Sequence, residues 1–247
     1  MRLNKFIAHT TGLSRREADS LIESGRIRVN NAAVQLGAQV NPSDVVLYDG
    51  KVLAHEAHYQ YQLLNKPPQY VCSRKIQGET PTIYSLLPAN LRHLKPVGRL
   101  DKDSSGLILL TDDGDFAHRM THPKFAKTKI YDVTLDHTLE PLHMQIISDY
   151  GVALDDGVSQ FQVSRVEPDR RGKSYTAIPN KHSPSNASVR SHSSPTYEVR
   201  MSEGRNRQIR RTFAALGYTV TRLHRISFGP YRLTDEKPGE FHPVSIS

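Results

Sequence analysis

Leu3, Phe6 and Ile7 recur at i, i+3 and i+4, which predicts a short amphipathic helix that Thr10-Thr11-Gly12 interrupts. Ser14 and Glu17 stand three residues apart, just ahead of Ala18, Leu21 and Ile22. That is the pattern of a capping box opening a second helix, with Gly25 suited to end it. The period then drops to two. Arg26–Val29, Ala33-Val34 and Val45–Leu47 predict short strands, and Asn30-Asn31 and Asp49-Gly50 supply their turns. Two helices and a small sheet make one module, and we assign it residues 1–56.

A linker at 57–60 leads into a second domain, 61–247. Tyr61–Lys66 reads as a strand stopped by Pro67. Leu107-Ile108-Leu109-Leu110 is continuously apolar, as expected of a strand buried on both faces. Lys127 to Val133 alternates as a further strand. Ile209, Phe213 and Leu216 form a helix stripe, with Asn206 as the expected N-cap and Gly217 as the residue after its end. Strands and helices intermingle without a βαβ rhythm, so the fold class is α+β with a mixed, mainly antiparallel sheet. From about 168 to 195 the chain is rich in Ser, Asn, Pro and basic residues, and apolar periodicity vanishes. This stretch is expected to be a flexible insertion.

Charge narrows the choice of partner. Lys and Arg outnumber Asp and Glu by 33 to 25, and a pI near 9.6 suits a nucleic-acid ligand. The single cysteine, Cys72, excludes an internal disulfide and fits a reducing cytoplasm. Nothing reads as a signal peptide, and no apolar run is long enough to span a membrane. His118 and His122 are spaced i, i+4 but lack further ligands in any recognisable pattern, so no metal site is expected. Walker and dinucleotide glycine motifs are absent, so no cofactor is expected either.

The run RLNKFIA…SRREADSLIESGRIRVNN resembles the S4 domain, a small RNA-binding module. Arg15 and Arg16 fall in the first turn of the second helix, where charge and free amides meet a phosphate together. Arg26 and Arg28 alternate with Ile27 and Val29, so both are expected on one strand face. The resemblance implies that these four arginines bind RNA.

In the second domain Gly98-Arg99-Leu100-Asp101 leads through Ser104-Ser105-Gly106 into the apolar strand, with Thr111, Asp113 and Gly114 beyond it. On the residues alone, Asp101 is either a functional carboxylate held at the edge of a core or a turn residue paired with Arg99. The motif resembles the signature of pseudouridine synthases, in the S4-containing group that modifies ribosomal RNA. That resemblance implies catalysis by Asp101 and an active-site position for Arg99. It also implies that Tyr131, in Lys129-Ile130-Tyr131-Asp132-Val133, packs on the target base, that Leu223 lines the uracil pocket, and that Arg210 pairs with Asp101. On the helix Arg207 and Arg211 face away from the apolar stripe, as phosphate ligands would.

The implied activity is site-specific isomerisation of uridine to pseudouridine in ribosomal RNA, with 23S slightly favoured over 16S. The enzyme would be a monomer that needs no cofactor and acts on ribosomal RNA or a pre-ribosomal particle, away from membranes. Whether Asp101 is a nucleophile or a base stays open. The alternative is a non-catalytic RNA-binding or ribosome-assembly factor on the same fold.

Overall fold

The computed structural model describes residues 1–53, 59–75, 78–166 and 194–246. Linker positions 57 and 58, and all but the last two residues of the insertion expected at 168–195, lie outside the described residues.

The N-terminal module follows its sequence signals closely. Helix α1 spans Leu3–Thr11 and buries Leu3, Phe6 and Ile7, and Gly12 closes it in a left-handed conformation. Helix α2, Arg15–Glu23, begins with the full capping box: the Ser14 hydroxyl accepts from the Glu17 amide while Glu17 accepts from the Ser14 amide. Strands β1 (Ile27–Val29), β2 (Ala32–Ala33), β3 (Val46–Tyr48) and β4 (Lys51–Val52) pair antiparallel in the order β2-β1-β3-β4. Asn30-Asn31 and Asp49-Gly50 turn with positive φ at both residues, as two-residue hairpins require. The module has its own core, in which Leu3, Ile7, Ala18, Ile22, Ile27 and Val46 pack together.

The larger unit is built on one sheet. Its strands are β5 (Tyr61–Lys66), β6 (Lys95–Val97), β7 (Ser105–Thr111), β8 (Lys129–Leu135), β11 (Gln162–Arg165), β12 (Thr196–Met201), β13 (Val220–Phe228), β14 (Tyr231–Arg232) and β15 (Phe241–Pro243). A separate hairpin, β9 (Val152–Leu154) with β10 (Gly157–Ser159), stands beside it. Helices α3 (Gly114–Thr121), α4 (Pro141–Gln145) and α5 (Gln208–Ala215) connect and cover these strands. The order across the main sheet is β11-β12-β8-β13-β7-β5-β15, with β6 added to β7 and β14 to β13. Every pairing between these strands is antiparallel except that of β7 with β13. This is the α+β, mainly antiparallel arrangement expected.

Strand β7 lies inside the sheet, between β13 and β5. Ile108 and Leu110 enter the core on one face, and Leu107 and Leu109 the core on the other. Its contact with β13 is brief and close, pairing Ser105 with His224 and Gly106 with Arg225. Gly106 has φ +106°, and a Cβ there would lie 2.2 Å from the Arg225 carbonyl oxygen and 2.5 Å from its amide nitrogen. Only glycine lets the two backbones come this near.

Among the described residues no helix is long and apolar enough to cross a membrane.

Gly106→Ala should therefore destabilise the protein by about 3 kcal/mol or more, through overpacking against backbone together with a disfavoured φ. Gly12→Ala also has positive φ but meets nothing within 4 Å, and should cost about 1 kcal/mol. Urea unfolding of the two variants checks this, and equal losses would contradict the close-approach account.

Candidate active site

The chain between β6 and β7 carries Asp101, and backbone bonds hold it in shape. The Ser104 amide donates to the Asp101 carbonyl at 3.1 Å, and the Gln69 amide to the Lys102 carbonyl at 2.7 Å. Lys66, the last residue of β5, is fully buried beneath it. Its ammonium donates to the Ser104 carbonyl at 2.6 Å and to the Pro67 carbonyl at 3.0 Å. The Asp101 side chain keeps 35% of its surface accessible, so a fixed backbone presents an open carboxylate.

Asp101 faces a cleft of about 340 Å³, within the range of small-ligand sites. Tyr131 from β8 and Leu223, Arg225 and Phe228 from β13 line it, all buried. Leu223 and Arg225 share a face because strand side chains alternate. Phe228 would fall on the opposite face, but β13 slips in register against β8 between Arg225 and Ser227, which sets Phe228 across from Lys129. A bulge of this kind restores Phe228 to the cleft side. Arg99 lies exposed at the rim of the same cleft, and no ion pair joins it to Asp101 among the described residues.

The arginines of α5 differ from expectation. Arg210 does not reach Asp101 within ion-pair distance. Its Nε lies 3.2 Å from Asp103 Oδ2, and its two terminal nitrogens donate to the carbonyls of Asp103 at 3.1 Å and Val220 at 2.7 Å. Arg207 is the nearer cation, with Nη1 3.7 Å from Asp101 Oδ2. It also donates through both Nη atoms to Asp103, each at 3.1 Å. Burial works to raise the Asp103 pKa, but the Arg207 hydrogen bonds and the charges of Arg210 and Arg207 outweigh it and hold the carboxyl below its ordinary range. Asp103 thus collects both guanidinium groups, and Asp101 stays uncovered.

The same region corrects the expected helix start. Asn206 is not the cap, because Arg207 stands in that position with φ +47° and α5 begins at Gln208. Helix periodicity has no access to a left-handed residue ahead of the first turn. Arg211 is not free for phosphate either, since it donates to both oxygens of Asp156 at 3.1 and 2.7 Å.

Among the arginines of the N-terminal module, Arg15, Arg16 and Arg28 are exposed. Arg26 lies one residue before β1. It pairs with both oxygens of Asp49 and lies over the Tyr48 ring.

Residue-level reasoning assigned no role to Lys66, Asp103, Lys129 or Arg225. For Lys129 a signal was present, since it stands two residues before Tyr131 on one strand face. Arg225 stands two after Leu223 in the same way. Among the described residues no group of three or more His, Cys, Asp or Glu could hold a metal ion.

Comparison with known proteins decides the family. Residues 60–215 match the RNA pseudouridylate synthase family, and residues 1–46 match the S4 domain. The chain belongs to the RNA pseudouridylate synthases. Similar proteins include the ribosomal small subunit pseudouridine synthase A of Pasteurella multocida, 36% identical over 99% of this chain and 96% of that protein. The protein of the same name from Escherichia coli K12 is 35% identical, again over 99% and 96%. A crystal structure of a pseudouridylate synthase superposes with a TM-score of 0.64 at 30% identity, covering 99% of this chain and 96% of that one. The protein is thus an isomerase that converts uridine to pseudouridine, and it carries an S4 domain ahead of its synthase domain.

Lys66 gives the synthase a pH signature. Burial is the main cause that lowers its pKa to about 8, whereas an unfolded lysine titrates near 10.4. Between those values the unfolded chain binds more protons, so stability rises with pH. Lys129, also lowered to about 8 and chiefly by burial, adds to the rise. Lys66→Met should remove one lysine's share, on the order of 3 kcal/mol across that window. Urea unfolding at pH 7, 8, 9 and 10 measures it, and identical slopes in variant and wild type would contradict the assignment.

Proposed function

We propose that this synthase isomerises a uridine of small-subunit ribosomal RNA in the cytoplasm, with Asp101 as the reacting carboxylate. The observation that carries the reading is an accessible Asp101 carboxylate, on a rigid loop, at a cleft walled by Tyr131 and Leu223.

Uridine and pseudouridine are isomers, so the reaction needs neither an electron acceptor nor a group donor. The N1–C1′ bond breaks, the uracil turns, and a C5–C1′ bond forms with loss of the C5 proton and gain of one at N1. Asp101 acts in one of two ways. As a nucleophile it forms an Oδ–C1′ bond while the electron pair of the breaking bond goes to N1, and that Oδ–C1′ bond breaks, returning its pair to the carboxylate, when C5 attacks C1′. As a base it takes the C2′ proton, a C1′=C2′ double bond forms, and the same pair goes to N1; the proton returns to C2′ as C5 bonds to C1′. In both cases Arg207 is the nearest cation, its Nη1 3.7 Å from Asp101 Oδ2. Tyr131 supplies a ring for the base to pack on, and Leu223 closes the apolar wall. The enclosure keeps the detached base from exchanging with solvent.

The small subunit is favoured by the names of full-length relatives at 35 and 36% identity. They outweigh the lean towards 23S drawn from the N-terminal sequence. RNA affinity would come from the first module, residues 1–56, through exposed Arg15, Arg16 and Arg28, with Arg99 at the cleft rim. Arg26 and Arg211, each already paired with an aspartate, would contribute less. Residues 61–247 would carry the chemistry, and the enzyme would work as a monomer.

The test is conversion of protein-free small- and large-subunit ribosomal RNA by the purified enzyme, mapped to the nucleotide. The wild type should modify one uridine of the small-subunit RNA. Asp101→Asn should bind that RNA normally and lose turnover by about 10⁴-fold or more. Near-normal turnover in the variant would remove Asp101 from the mechanism. Modification of large-subunit RNA alone would overturn the subunit assignment.

A further inference from the structure

Whichever role Asp101 takes, the electron pair of the broken bond leaves on N1, so the free base is a uracil anion with its charge spread over N1, O2 and O4. In bulk solution water would stabilise that charge; on the buried wall of the cleft the protein must do so. A site that performs this step needs hydrogen-bond donors or cations where the anion forms.

The cleft has such groups, two of them with polar atoms that lack a partner among the described residues. Arg225 is only 2% exposed. Its Nε donates to the Leu107 carbonyl at 2.7 Å, and its guanidinium lies 4.9 Å from the centre of the Phe228 ring. Its Nη2 is shielded from solvent and has no hydrogen-bond partner among the described residues. No carboxylate there lies within ion-pair distance of it. The Ser104 hydroxyl, on the Asp101 loop, is likewise buried and without a partner among the described residues. Lys129 brings a second cation to Phe228, its Nζ 5.5 Å from the ring centre, while it also donates to the Ser202 carbonyl at 3.0 Å. Arg225, Ser104, Lys129 and Phe228 all line the cleft.

We propose that Arg225, assisted by the Ser104 hydroxyl and the charge of Lys129, stabilises the detached uracil anion and holds it while it turns. The inference deepens the reading of the Asp101 cleft and rests on it only for the breaking of the N1–C1′ bond.

Two features favour a base over a backbone phosphate as the occupant. The donors lie among Tyr131, Leu223 and Phe228, which suit a flat, partly apolar ring. The more exposed guanidinium groups, Arg99 and Arg207, stand where a phosphate has easier access. An unpaired buried cation is also costly in the free protein. Burial first, and the Arg225 charge second, bring the Lys129 pKa down to about 8, so the site gains electrostatically when an anion forms inside it.

The experiment compares small-subunit RNA transcribed with uridine or with 5-fluorouridine, under single-turnover conditions with excess enzyme. The reading is cleavage of the N1–C1′ bond at the target. Fluorine withdraws charge and stabilises the base anion without help from the protein. Arg225→Met should slow cleavage of uridine about 100-fold, the loss typical of a missing oxyanion donor, with RNA affinity unchanged. The deficit should shrink on the fluorinated RNA, and Arg225→Lys should recover part of the rate. Lys129→Met should give the same base dependence at smaller size, and it decides the matter if Arg225→Met does not fold. Equal deficits on both RNAs would overturn the proposal. So would weakened RNA binding with normal turnover once bound, which would make Arg225 a phosphate ligand. Asp101→Asn should block cleavage of both bases alike. Cleavage that persists in that variant sinks the Asp101 reading while leaving the Arg225 comparison readable.

Discussion

Gly106 brings the backbone of β7 so near to Arg225 that no side chain fits between them, and the geometry of the cleft depends on that contact. The two strands run parallel for only two residues, yet those residues bring together parts of the chain more than a hundred positions apart. One partner ends the loop that carries Asp101. The other belongs to a strand that also pairs Arg225 with Tyr131. Loop, aromatic wall and buried cation therefore keep fixed relative positions without any direct bond among their side chains. Lys66 reinforces the arrangement from below by tying the Ser104 carbonyl to the end of β5. Preorganisation of this kind costs no movement when the substrate arrives.

Charge is distributed unevenly around the cleft. At the mouth, two carboxylates meet two guanidinium groups, and nearly all the pairing goes to Asp103. This leaves Asp101 with a single ion-pair neighbour among the described residues, at 3.7 Å, too loose to cover it. Towards the interior, cations prevail. Lys66 and Arg225 are buried and Lys129 is half-buried, and each donates a hydrogen bond to a backbone carbonyl. Carbonyl dipoles offset part of the cost of such burial but do not neutralise it. A ligand that becomes negative inside the cleft is the natural complement.

The sequence made some of this legible, for definite reasons. The S4 module follows rules that act over a few residues, namely a capping box, hairpin turns with positive φ and one apolar stripe per helix, and it reads almost directly. The four-residue apolar run in β7 announced burial on both faces, and the motif around Asp101 announced the family. Missed features depend on contacts between distant segments. The pairing of Arg207 and Arg210 with Asp103 joins positions over a hundred residues apart, so a helical wheel of α5 shows only which way each arginine departs. The bulge that brings Phe228 to the cleft breaks the strict alternation on which strand reading relies. Gly106 looks like an ordinary motif glycine until Arg225 is seen against it. The paired state of Arg26 and Arg211 was hidden likewise, because Asp49 and Asp156 enter only through the fold.

The most direct measurement is a crystal structure of the enzyme bound to its target RNA with 5-fluorouridine at the modified position. The account predicts the nucleotide turned out of its strand into the cleft, its ring between Tyr131 and Leu223. An Asp101 oxygen should lie within bonding or hydrogen-bonding reach of C1′ or the C2′ proton. An exocyclic oxygen of the base should face Arg225, with the flanking phosphates towards Arg99 and Arg207. A base seated elsewhere, or a phosphate occupying the floor beside Arg225, would contradict it.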